Sequence, residues 1–162
     1  MALKPHERPA ASQERPAPAP QEARPKQRIL YVEDEDLNWE IAAKRLHGKF
    51  ELHRAKDSRE AFEKLRHRAY DLVLMDIQLS NSEYDGIAMT EILTNRYSGV
   101  TPTAAEGLPG KAPPIIFVTA YTARYTREEL REHGADEMIA KPVDFIQLVL
   151  VMSRLIARRT LA

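Results

Sequence analysis

The chain has 162 residues and no cysteine, which excludes disulfides and thiolate metal sites. Its 24 Lys and Arg balance 24 Asp and Glu, and a formal charge of zero argues against an electrostatic nucleic-acid binder. No apolar stretch approaches a membrane span and the N-terminus lacks the apolar core of a secretory signal, so a cytoplasmic protein with no membrane partner is expected.

Residues 1–27 hold Pro5, Pro9, Pro16, Pro18, Pro20 and Pro25 among Ala, Glu, Arg and Gln. With almost nothing apolar to bury, this segment reads as a disordered or partly polyproline II tail. From Arg28 the pattern alternates strand and helix. A first strand covers about 28–33 and a helix 36–48, with Leu37, Ile41, Ala42 and Leu46 as its apolar stripe. A second strand runs from Phe50 to Ala55. Asp57 and Glu60 have capping-box spacing and open a helix that reaches Arg68.

The third strand, 70–76, is a short apolar run that ends in Asp76. A helix follows from Gly86 to about Tyr97. Segment 98–113 is rich in Gly and Pro and too long for an ordinary connection, so a mobile insertion is expected. The fourth strand, 114–119, ends in Thr119. Thr126 and Glu129 form a second capping box, before a short helix that stops at Gly134. The fifth strand, 136–140, leads into Lys141-Pro142. Asp144 caps a last helix that ends near Arg159, with Phe145, Leu148, Val149, Met152, Leu155 and Ile156 facing inward.

Five strands alternating with five helices predict an α/β fold, a doubly wound five-stranded parallel sheet of order 2-1-3-4-5. In such a sheet the carboxyl ends of the strands converge on one crevice. Glu33, Asp34, Asp76, Thr119 and Lys141 should therefore meet. Three adjacent carboxylates repel and invite a divalent cation, and an all-oxygen donor set favours Mg²⁺ or Mn²⁺. Asp76 is then placed to form an aspartyl phosphate, with Thr119 and Lys141 stabilising charge on the phosphoryl oxygens.

Val32-Glu33-Asp34-Glu35, Leu74-Met75-Asp76, Asp85-Gly86, Val118-Thr119-Ala120 and Gly134-Ala135-Asp136 with Lys141-Pro142 together resemble the receiver domain of bacterial two-component response regulators. The resemblance covers about 28–158 and implies a receiver domain at 28–159, apparently stand-alone. It implies that Asp76 accepts a phosphoryl group from a phosphohistidine on a sensor histidine kinase or histidine phosphotransfer protein. Asp34 would hold Mg²⁺ directly, Glu33 largely through water, and Gln78 through its backbone carbonyl. Thr119 would turn toward the phosphoryl group and Lys141 would pair with it. A cis bond before Pro142 would aim Lys141. The last two helices and strand five would present the output face to a downstream protein, and a homodimer stays open.

Three features depart from the family. Met138 stands where a switch aromatic is usual, and Tyr121 is either its substitute or a cover over the site. Ser80 replaces a usual proline, and Asp85-Gly86 comes two residues late, so the loop 79–84 is expected to be longer and more mobile. The insertion 98–113 is the third. Gln78 and Tyr121 occupy the positions that tune hydrolysis in the family, and bulky Tyr121 is expected to prolong the phosphorylated form. The rival readings are an interaction module that works without phosphorylation and a Mg²⁺-dependent phosphohydrolase. The hydrolase would lack a general acid where Gln78 stands.

Overall fold

The computed structural model describes residues 25–120 and 122–162. The expected tail therefore lies outside the described residues except at 25–27, and Tyr121 lies outside them too. Five strands, β1 (Arg28–Val32), β2 (Glu51–Ala55), β3 (Leu72–Met75), β4 (Ile115–Thr119) and β5 (Glu137–Ala140), form one parallel sheet in the order 2-1-3-4-5. The helices are α1 (Asp36–Leu46), α2 (Ser58–His67), α3 (Gly86–Leu93), α4 (Arg127–Glu132) and α5 (Phe145–Thr160). The expected fold class and strand order are both observed.

Each strand splits its apolar residues between two cores, as the two-residue period of a strand requires. Leu30, Val32, Val73, Met75, Ile115, Phe117 and Met138 pack on the side of α2, α3 and α4. Ile29, Tyr31, Leu72, Leu74, Ile116, Val118 and Ile139 pack on the side of α1 and α5. Burial of both faces explains why β3 and β4 read as continuous apolar runs, whereas the edge strand β2, Glu51–Ala55, is only partly buried and carries Glu51, His53 and Arg54.

Helix starts follow their caps. Asp57 accepts from Glu60 N at 2.8 Å, Asp85 from Ala88 N at 2.8 Å and Asp144 from Ile146 N at 2.9 Å. The Thr126–Glu129 capping box is complete. The one expected at Asp57 is not reciprocal, because the Glu60 carboxylate accepts from Lys56 N instead, at 3.0 Å. α3 ends at Leu93 rather than near Tyr97. Asn95 adopts φ +58, and Arg96 N turns back to Glu91 O at 2.7 Å, which closes the helix.

One further expectation is corrected. On α1 only Ala42 and Leu46 are buried, whereas Leu37 is 66% exposed and Ile41 43%. Their side chains lie off the narrow stripe that meets the sheet. Segment 98–113 makes contacts with the rest of the fold. It contains a 3-10 turn at Thr103–Ala105, and Ala105 is buried. Arg66 on α2 donates to Ala104 O at 2.7 Å and Glu106 O at 3.0 Å, tying the segment to the fold.

Candidate phosphoryl-transfer site

Strand register builds the site. Val32 on β1 is paired with Met75 on β3, so the next residues, Glu33 and Asp76, leave the sheet side by side. Asp76 N donates to Val32 O at 3.0 Å, which fixes that level. On the other side of β3, Thr119 ends β4 opposite Ala140, and Lys141 follows. Lys141 N donates to Thr119 O at 2.9 Å, and the Lys141–Pro142 peptide is cis, as expected.

One oxygen from each of Glu33, Asp34 and Asp76 can be chosen so that all three lie within 4.8 Å of one another. Glu33 and Asp76 are buried and Asp34 is half-buried. The Lys141 ammonium reaches both buried carboxylates, at 2.8 Å from Glu33 Oε2 and 2.8 Å from Asp76 Oδ2. Thr119 is fully buried at the end of β4, opposite Ala140, the residue before Lys141. Gln78 lies just past Asp76 with an exposed side chain.

Burial pushes the Asp76 carboxyl up, and the nearby Glu33 charge adds to this, while Lys141 pulls it down without cancelling the rise. Burial alone would lower the Lys141 ammonium. Its hydrogen bonds to Asp76 and Glu33 outweigh that and raise it. The lysine therefore stays charged, and it satisfies one oxygen of each acid. The three carboxylates cluster around one ammonium that contacts only two of them, so the donor set suits a hard divalent cation.

Several contacts were not anticipated from sequence. Tyr31 donates its hydroxyl to Glu33 Oε2 at 3.0 Å, and Glu35 N donates to Glu33 Oε1 at 3.0 Å. Burial and the Glu33 charge drive the Tyr31 phenol far above its ordinary pKa, so it remains a donor. Its place two residues before Glu33 on one strand was the available signal, because such residues share a face. Ser80 N donates to Asp34 Oδ2 at 2.8 Å. The loop that carries Ser80 makes further hydrogen bonds. Ser82 Oγ accepts from Ser58 N at 2.9 Å and donates to Tyr84 O at 2.7 Å.

Met138 is buried in the α2–α4 core, and its N–H donates to Glu137 Oε1 at 3.1 Å. Glu137, itself buried, pairs with Arg127 of α4 at 2.7 Å and Arg154 of α5 at 3.4 Å. The edge strand thus links the two helices on either side of it.

Residues 29–153 match the response regulator receiver domain family. The chain is 32% identical over 136 residues to the transcriptional regulatory protein ZraR of Klebsiella oxytoca, covering 83% of this chain and 27% of that protein. It is 32% identical over 131 residues to SrrA of Staphylococcus aureus, covering 80% of this chain and 48% of that protein. The chain thus spans about a quarter to a half of these curated relatives. Among solved structures, the receiver domain of the sensor histidine kinase PA1611 from Pseudomonas aeruginosa superposes with a TM-score of 0.64 at 25% identity. That match covers 82% of this chain and 98% of the other, which holds a magnesium ion coordinated in its active-site cleft.

Proposed function

Because the chain belongs to the response regulator receiver family, we propose that Asp76 is the phosphoacceptor of a two-component phosphorelay, within a receiver unit spanning 28–159. The observation that carries this reading is the single ammonium of Lys141 held 2.8 Å from both Asp76 and Glu33, with Asp34 completing the acidic set. Asp34 and Asp76, with Glu33 behind them and the Gln78 carbonyl, are the groups that would hold Mg²⁺ or Mn²⁺. Bound there, the ion supplies positive charge to the incoming phosphoryl oxygens and offsets the three carboxylates.

In the reaction an Asp76 carboxylate oxygen attacks the phosphorus of a phosphohistidine. The P–O bond forms as the P–N bond breaks, and the imidazole leaves with the electron pair. Lys141 exchanges its contact with Asp76 Oδ2 for a phosphoryl oxygen, while its Glu33 contact holds it in place. Thr119 supplies a hydroxyl donor to the same group. The phosphorylated state then shifts a conformational equilibrium that controls partner binding.

The phosphodonor is a sensor histidine kinase or a histidine phosphotransfer protein. Exposed Leu37 and Ile41 on α1, with Ile146 and Leu150 on α5, offer apolar surface for protein docking. The output face is α4, β5 and α5, which the Glu137 ion pairs connect.

Incubation with acetyl phosphate and Mg²⁺, followed by intact-mass measurement, tests this function. The expected result is one added phosphoryl group that disappears with EDTA and in Asp76→Asn. No adduct and no turnover would favour an interaction module that works without phosphorylation. Rapid multiple turnover of phosphomonoesters would favour a hydrolase.

A further inference from the structure

Arg54 ends one residue short of the carboxyl end of β2, opposite Tyr31 on β1. Its guanidinium is turned onto the acidic loop that follows β1. Nε donates to Glu33 O at 2.9 Å, Nη2 to Asp34 O at 2.8 Å and Nη1 to Asp36 Oδ1 at 2.7 Å. The side chain is only 14% exposed, and its guanidinium lies 5.8 Å from the centre of the Trp39 ring. One planar fork therefore engages the carbonyls of the two consecutive residues whose side chains face Asp76. With both peptides held, the directions in which the Glu33 and Asp34 side chains leave the backbone are fixed before any cation arrives.

We propose that Arg54 is a positioning residue for the metal-binding half of the site, clamping the loop at 33–36 so that Glu33 and Asp34 converge on Asp76. This rests on the metal-binding reading given above. Arg54 touches no carboxylate of the trio, so its action is indirect. That makes the sign of its effect diagnostic. As a mere positive charge near a cation site, Arg54 would weaken metal binding, and its removal would tighten it. As a clamp it strengthens binding, and its removal loosens the site. Groups that orient metal ligands typically contribute about 10- to 100-fold in affinity.

The test is Mn²⁺ binding to the full chain, followed by electron paramagnetic resonance of free Mn²⁺. Arg54→Met keeps the apolar stem but has no donors. It is expected to bind about 10-fold more weakly or worse. Arg54→Lys retains charge but not the fork, and is also expected to bind more weakly than wild type. Arg66→Met, which removes a comparable pair of carbonyl contacts far from Asp76 in the segment 98–113, is expected to keep wild-type affinity. Wild-type or tighter binding in either Arg54 variant would overturn the proposal, as would an equal loss in Arg66→Met. Wild-type protein that binds no Mn²⁺ would overturn the metal reading itself and this proposal with it.

Discussion

The Lys141 ammonium lies 2.8 Å from Asp76 Oδ2, although the two residues are 65 positions apart in sequence. The same ammonium holds Glu33, which is fully buried. Removing it leaves two neighbouring buried acids with no shared counter-charge. Lys141→Met should therefore lose about 3 kcal/mol of stability, the low end for breaking a buried pair, since this one borders solvent. Urea unfolding in metal-free buffer reads this directly. The loss should shrink in excess Mg²⁺, which replaces part of the missing charge. An unchanged midpoint would mean that the lysine is not needed to hold the acids together.

Gly86 packs directly on the Asp76 backbone. A Cβ at that position would run into the Asp76 carbonyl oxygen, and Gly86 N donates to Ile77 O at 2.8 Å. Backbone cannot swing aside as a flexible side chain does. Gly86→Ala should cost ~1–3 kcal/mol, as overpacking does, and should slow phosphorylation if Asp76, whose backbone is displaced, is the acceptor as proposed. Denaturant midpoints and acetyl-phosphate kinetics on the same preparation would show both effects.

Metal binding should be visible as stability. A ligand that binds only the folded state, present at about 100 times its Kd, adds ~2.7 kcal/mol. Mg²⁺ should therefore raise the melting temperature of wild type, and Asp34→Asn should lose most of that rise while folding normally without metal. A full Mg²⁺ effect in Asp34→Asn would remove this residue from the metal site.

The cap of α4 should be acid-sensitive. Hydrogen bonds from Thr126, its N–H first and then its hydroxyl, hold the Glu129 carboxyl below its usual pKa. A carboxyl depressed in the folded state contributes stability above its ordinary pKa and loses it as pH falls through the depressed value. Relative to the intrinsic exchange rate at each pH, amide protection at the start of α4 should fall in that acid window in wild type. Glu129→Gln should lack this pH-dependent component. Equal pH profiles would show that the cap does not depend on the charge.

Much of this architecture was legible in the chain. Most strands are short apolar runs with a polar residue just past the carboxyl end, and their alternation with capped helices points to a parallel sheet. Asp76, Glu33, Asp34, Thr119 and Lys141 could be grouped because strand ends converge in that topology. Arg54 could not be found in the same way. Its role depends on the register of β2 against β1 and on side-chain direction, and neither leaves a pattern in sequence. Leu37 and Ile41 mark the opposite failure. Their helical spacing fits an inward stripe, yet the sheet covers only the Ala42 and Leu46 side of α1. The end of α3 was misplaced because Asn95 takes a left-handed conformation that no proline or glycine announces.

If Asp76 is the phosphoacceptor, as proposed, phosphate arrives on it and nowhere else. After acetyl phosphate and Mg²⁺, borohydride reduction converts an aspartyl phosphate to homoserine, which tandem mass spectrometry can place in the sequence. Homoserine is expected at position 76 alone, and none when Mg²⁺ is withheld. Reduction product at another carboxylate, or none at position 76 under conditions where the protein gains phosphoryl mass, would contradict it.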